Sequence, residues 1–317
     1  MSEYHLGVAT RVLGAPLRSH DSRRWQQQPH LSVSLAYLRD LLTYLHGQEI
    51  RFYRLSSQLA PYATHPDLPQ FHRQIDECSL ELAALGDLAR SFGVRLTMHP
   101  PLYLQLGSDD GEQARRAAFD VEMAARLLEA MGLGSDSVLV IHAGHALGDP
   151  QRLLSTLARR IDGLPAPLRA RLALEHDDRS IDLHDALWLH RRTGVPVVFD
   201  VLHHRCLNRR GTPLVEGLSL ALNTWPAAQR PKIHLSTSRT EVRTARRGGQ
   251  SHLLPPLPNQ HSDFINPFEC IDLLNSARAA HTVPFDIMVE AKACELAVLR
   301  LRQQVAVYAP ALAALVG

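Results

Sequence analysis

Val195-Pro-Val-Val-Phe-Asp-Val-Leu-His-His204 decides how the rest of the chain is read. A short run rich in β-branched and aromatic residues is the pattern of a parallel strand buried on both faces. It ends abruptly in a carboxylate, Asp200, with an imidazole, His203, three residues on. The same order of apolar strand followed by ligand-type side chain recurs at Arg95-Leu-Thr-Met-His99, Ser137-Val-Leu-Val-Ile-His142, Arg171-Leu-Ala-Leu-Glu175, Pro231-Lys-Ile-His234 and Phe285-Asp-Ile-Met-Val-Glu290. In a parallel barrel all strands open their C-terminal ends on one face, so these side chains, remote in sequence, are expected to converge on one pocket.

Working outward, the chain alternates strand and helix throughout. The expected units are strand 4–9 with helix 32–46, strand 50–55 with a helix over about 70–92, strand 94–99 with helix 111–131, and strand 137–142 with helix 150–161. Strand 171–175 with helix 182–193, strand 195–200 with a helix near 214–224, strand 231–236 with helix 267–281, and strand 286–290 with helix 292–307 complete the set. Eight such units in 317 residues match an α/β fold of the (β/α)₈ barrel type, read as one domain over 1–317. A doubly wound sheet would want a glycine-rich phosphate turn after its first strand, which Gly7-Val-Ala-Thr-Arg-Val-Leu-Gly14 does not supply.

Bulk composition narrows the function classes. A formal net charge of +2 gives no strong global field, so any nucleic-acid affinity must come from local patches. Cys78, Cys206, Cys270 and Cys294 are far apart and fit no zinc spacing, which reads as reduced thiols in a cytoplasmic protein. No apolar run approaches the roughly 18 residues of a membrane span, so no membrane partner is expected.

His99, His142, Glu175, Asp200, His203, His234, His261 and Glu290 offer nitrogen and oxygen donors without a thiolate, a set suited to manganese, zinc or iron. One histidine at a strand end is ordinarily a hydrogen-bonded loop residue. A carboxylate ending a buried strand is costly without a cation, and six strand ends behaving alike favour a metal site. Eight donors exceed what one ion uses, so a cluster of two or three divalent ions is expected. Lys232 shares the inward face of its strand with His234, where it is a depressed-pKa lysine, a carboxylate partner or a chemically modified ligand. Histidines 30, 46, 72, 184, 190 and 281 fall in or beside helices, and 145, 204 and 252 have no assigned role.

The segments Arg51-Phe-Tyr-Arg-Leu-Ser-Ser57, His65-Pro66, Met98-His-Pro100, Ile141-His-Ala-Gly144 and Leu174-Glu-His-Asp-Asp178 resemble, in order, those of the UV damage endonuclease family. So do Pro196-Val-Val-Phe-Asp200 with His203-His204, Lys232-Ile-His-Leu-Ser236, His261-Ser-Asp263 and Asp286-Ile-Met-Val-Glu-Ala-Lys292. The resemblance implies a TIM barrel related to endonuclease IV, with a manganese cluster that cuts damaged double-stranded DNA 5′ of a photoproduct. It implies the eight donors above as ligands, Lys232 as a carbamylated residue near the metals, and His65 near the scissile phosphate; Glu175 and Glu290 join these two in the catalytic set. A monomer is expected.

The departures lie where DNA is touched. The family often carries a Gln-Tyr probe after its His-Pro, whereas here the sequence is His99-Pro-Pro-Leu102-Tyr103; Val8 and Val12 stand where an aromatic and an asparagine are common. Leu102 and Tyr103 are expected to form an apolar wedge. Arg239, Arg243, Arg246 and Arg247, in a loop after the seventh strand, are expected to meet phosphates. Two other readings compete: a small-molecule metalloenzyme of the sugar isomerase kind, and a metal-containing DNA-binding protein without catalysis.

Overall fold

The computed structural model describes residues 3–101, 105–143 and 149–317. Eight four-residue strands, β1 (Leu6–Ala9), β2 (Phe52–Leu55), β3 (Arg95–Met98), β4 (Leu139–His142), β5 (Leu172–Glu175), β6 (Val197–Asp200), β7 (Lys232–Leu235) and β10 (Asp286–Val289), close into a parallel barrel. Neighbours follow chain order and β10 closes onto β1, the arrangement expected from the strand and helix count. The outer layer contains helices Leu31–Gly47, Ser79–Ser91, Gly111–Ala130, Pro150–Asp162, Leu183–Thr193, Leu214–Leu222, Pro267–Ala279 and Glu295–Tyr308. Among the described residues no helix is long and apolar enough to cross a membrane.

The structure departs from the expected elements in two places. The helix expected over 70–92 is split into Pro69–Phe71, Gln74–Glu77 and Ser79–Ser91. Gln74 is buried and spends its side chain on loops: its amide donates to the carbonyls of Pro61 and Phe71 and accepts from Leu31 N–H. The arginine-rich loop after β7 is an antiparallel ribbon, β8 (Arg243–Arg247) and β9 (Gln250–Leu254). Gly248 and Gly249, with φ of +57° and +80°, make its two-residue turn, a conformation that favours glycine.

The barrel interior is chemically lopsided. Val140, Ala173 and Val198, which face the axis by alternation with the site residues two positions on, cluster with Val138 and Trp225 as an apolar lining. The opposite side carries Lys232, Phe52, Arg95 and Asp286. Gly7 has no side chain because the Phe52 ring occupies the space; a Cβ there would sit 2.3 Å from the ring. At the N-terminal end, Asp286 is fully buried and accepts from Arg95 (2.8 Å), Arg230 (2.6 Å) and His5 (2.9 Å). Burial alone would raise its pKa, but His5, Arg95 and Arg230 hold it down to about 2.

A carboxylate with its folded pKa below the unfolded value of about 3.9 adds stability above that value, and loses it as pH falls towards the folded pKa. Asp286→Asn is therefore expected to cost at least about 2–3 kcal/mol at pH 7 in urea unfolding. The wild-type advantage should shrink to roughly half by pH 3; a pH-independent difference would show that the ion network is not its source.

Candidate metal centre

The strand ends meet where the sequence pattern sends them. Glu175, the last residue of β5, is buried at the centre of the mouth with both oxygens facing imidazoles. Its Oε2 lies 3.4 Å from His99 Nε2 and 3.6 Å from His142 Nε2. Its Oε1 lies 3.3 Å from His203 Nδ1 and 3.0 Å from His234 Nδ1. Two donors about 2.0–2.2 Å from one tetrahedral ion stand about 3.4 Å apart, so these separations suit shared ligation.

Three overlapping groups place their ligand atoms within 4.8 Å of one another: His99, His142 and Glu175; Glu175, Asp200 and His203; and Asp200, His234 and Glu290. Glu175 belongs to the first two and Asp200 to the last two, so each of these carboxylates is shared between two groups. His99 Nδ1 donates to the Pro100 carbonyl at 2.9 Å, which leaves its Nε2 as the acceptor turned towards Glu175. Glu175 Oε2, Asp200 Oδ2, His142 Nδ1 and both nitrogens of His234 are buried without a hydrogen-bond partner among the described residues. Orphaned polar atoms concentrated in one pocket are what a cation-binding donor set presents, and these residues could hold metal ions.

The electrostatics agree. Burial pushes Asp200 up to about 7, opposed by His203 and reinforced by the Glu175 and Glu290 carboxylates. Burial would lower His203, but Asp200 and Glu175 beside it push it up to about 9. Burial drops His99 to about 4. Glu290 is held well below the usual carboxylate range against its burial, first by Arg54 and then by His234.

The remaining expected residues are spread over several environments. His261 Nδ1 is 3.9 Å from Glu290 Oε2, at the edge of the mouth and outside the three groups. Lys232 is fully buried one layer beneath His234, with Nζ 3.5 Å from Thr97 Oγ1 and 5.3 Å from the Phe52 ring centroid. Burial, then Arg54 and Arg95, lower its pKa well below the ordinary lysine value, and among the described residues it forms no ion pair with a carboxylate. His65 is exposed and lines a cavity of about 1090 Å³ together with His20, Ser57 and Gln58. Arg239 is buried, its N–H donating to the Gln260 carbonyl at 2.6 Å, rather than standing on an exposed rim. Arg243 and Arg246 are exposed on the ribbon. Leu102, Tyr103 and the side chain of Arg247 lie outside the described residues.

Two residues at the site had no expected role. Arg54, inward from β2, pairs with Glu290. His176 is buried beside Glu175: its Nε2 accepts from Asp200 N–H at 3.1 Å, and its carbonyl accepts from His203 Nδ1 at 2.9 Å. Burial lowers its pKa well below the usual value, so it is a neutral ring that holds the Asp200 backbone, while its main-chain carbonyl holds His203. Both lie inside quoted motifs, and the inward alternation of β2 was the available signal for Arg54.

The family profile "UV-endonuclease UvdE" matches residues 19–313. A UV DNA damage endonuclease of Bacillus velezensis is 30% identical over 287 residues, covering 89% of this chain and 84% of that protein. The crystal structure of SacUVDE superposes with a TM-score of 0.79 at 27% identity, covering 95% of this chain and 98% of that one. Endonuclease IV from Thermus thermophilus shares the fold at a TM-score of 0.56 and 13% identity, covering 94% of this chain and 97% of that one.

Asp200 and His203 both carry protons near neutral pH that a cation must displace, so divalent-metal affinity is expected to rise at least about tenfold from pH 6 to pH 8. Calorimetry in two buffers of different ionisation enthalpy should show proton release; pH-independent binding would contradict the geometry. His176→Phe should weaken metal binding by about 10–100-fold while the fold persists by circular dichroism, because it removes the side-chain acceptor of the Asp200 N–H and loosens the turn that positions this candidate ligand.

Proposed function

This chain belongs to the UvdE family of UV endonucleases, and from that premise we propose that it is a metal-dependent DNA-repair endonuclease cutting immediately 5′ of UV photoproducts and other distorting lesions. The observation that carries the reading is the sharing of Glu175 and Asp200 between three donor groups in one buried pocket. Bridged ions spaced by carboxylates are the arrangement that phosphodiester cleavage uses, because attacking and departing oxygens both need charge neutralised.

In this reading His99, His142, Glu175, Asp200, His203, His234, His261 and Glu290 hold two or three divalent ions, manganese first. When bound, such ions supply a nucleophile at neutral pH and stabilise charge on the phosphoryl and departing 3′ oxygens. The chain's own groups do the rest. Arg54 keeps Glu290 ionised and oriented. His65, exposed on the loop after β2, is the residue that orients the phosphate. Lys232, whose pKa burial, Arg54 and Arg95 lower beneath the cluster, suits reaction with carbon dioxide and loss of a proton to give a carbamate, which would offer an anionic oxygen towards the donors above it. Arg243, Arg246 and Arg247 meet backbone phosphates, and Leu102 and Tyr103 wedge into the stack at the lesion, sensing ease of unstacking rather than base identity.

The test is nicking of UV-irradiated against untreated supercoiled plasmid with manganese supplied. The wild-type chain should nick irradiated plasmid preferentially, and Glu290→Gln should lower the rate by at least about 100-fold with most DNA affinity retained. Equal nicking of both plasmids, or normal nicking by the variant, would overturn the assignment. Tyr103→Ala should reduce the ratio of lesion to intact duplex binding, with about 1–3 kcal/mol per stacked base as the scale.

A further inference from the structure

The ribbon β8–β9 stands out among the secondary-structure elements of the barrel's mouth because both its faces are largely open. Every described residue of β9 is exposed, and Leu253 retains 75% of its accessible surface. From Val242 to Ser262 there is no aspartate or glutamate, while Arg243, Arg246, Arg247, His252 and His261 fall in that stretch. The return limb is stiffened by Pro255, Pro256 and Pro258 and then pairs back onto the barrel: Arg239 N–H donates to Gln260 O, Ser262 N–H to Thr237 O, and Lys292 N–H to Ser262 O. A paired, carboxylate-free arm is thus fixed at its base directly beside His261.

The register sorts its side chains. Thr244 opposes Leu253 and Arg246 opposes Ser251, so these four share one face, and Arg243, Ala245, His252 and Leu254 share the other. Leu253 is more exposed than Leu254, at 75% against 46%, which makes the Arg246 and Leu253 face the outward one. That face combines a cation, two hydroxyls and an apolar side chain, groups that match phosphate, base edges and the thymine methyl.

Dimensions choose the groove. Two strands about 4.8 Å apart with their side chains are about 10 Å across, which fits a major groove about 12 Å wide and not a minor groove about 6 Å wide. Five paired residues extend about 17 Å, half of the roughly 34 Å turn of the duplex. We propose that β8–β9 is a duplex-clamping arm that lies in the DNA major groove through Thr244, Arg246, Ser251 and Leu253. The inference rests on the nuclease reading and adds to it where, and by which groove, the duplex flanking the cut is held.

The metal-loaded 317-residue chain is titrated with an undamaged duplex at two salt concentrations, alongside Leu253→Asp, Arg246→Ala and a variant with residues 243–254 replaced by a short Gly-Ser turn. Guanine N7 methylation interference reports the major groove. Leu253→Asp and the arm replacement should each weaken duplex binding at least about tenfold, and Arg246→Ala should reduce the salt slope by about one. Methylation at guanine N7 should interfere with wild-type binding and not with binding by the replacement. Wild-type affinity in the arm replacement, no interference in the wild type, or arm-dependent self-association with unchanged duplex affinity would each overturn the proposal. If the wild type nicks irradiated plasmid while the arm replacement binds duplex normally, the arm alone is wrong; if the wild type neither binds duplex nor nicks, the nuclease reading fails first.

Discussion

A carboxylate taken out of water must find compensating charge, and at the mouth of this barrel Glu175 is surrounded by four imidazoles, with no arginine or lysine paired to it among the described residues. That choice sets much else. Imidazoles are neutral or weakly cationic near pH 7, so they can release protons and give up their lone pairs, whereas a guanidinium would hold the carboxylate permanently. Glu290 shows the contrast within the same pocket: Arg54 grips it from one side and His234 faces it from the other. One carboxylate is anchored, and Glu175 and Asp200 are left to be shared.

The barrel interior supports this by dividing its lining. On β4, β5 and β6 the layer beneath the site is Val140, Ala173 and Val198, a packed apolar floor. On β2, β3 and β7 it holds Arg54, Thr97 and Lys232, and beneath these Asp286 draws in Arg95 and Arg230. Low dielectric below the donors strengthens each charge interaction above it. The cations that lower the lysine's pKa belong to the same stack, so the downward shift of Lys232 follows from the arrangement of its neighbours as well as from burial.

The fold and the position of the mouth were legible because both depend on periodicity. Apolar strands ended by His or carboxylate residues specify which face each side chain takes, and parallel closure then fixes where all of them go. What could not be read were features that depend on partners remote in sequence. Arg239 reads as a rim arginine from its neighbours in sequence, but in the fold it is buried where its backbone pairs with Gln260. The short segments that replace the start of the expected 70–92 helix are likewise accompanied by Gln74 reaching Leu31, Pro61 and Phe71, contacts that have no local signature.

The ribbon is a different kind of omission, since Gly248-Gly249 is a turn signal that was present in the sequence. Its flanks, Arg-Thr-Ala-Arg-Arg and Gln-Ser-His-Leu-Leu, lack the alternation of apolar and polar residues that marks a strand packed on a core. A strand that packs on nothing within its own chain has no reason to carry that alternation. The absence of a buried face therefore hides a ribbon from pattern reading, and the same absence leaves its side chains available to a surface outside the chain.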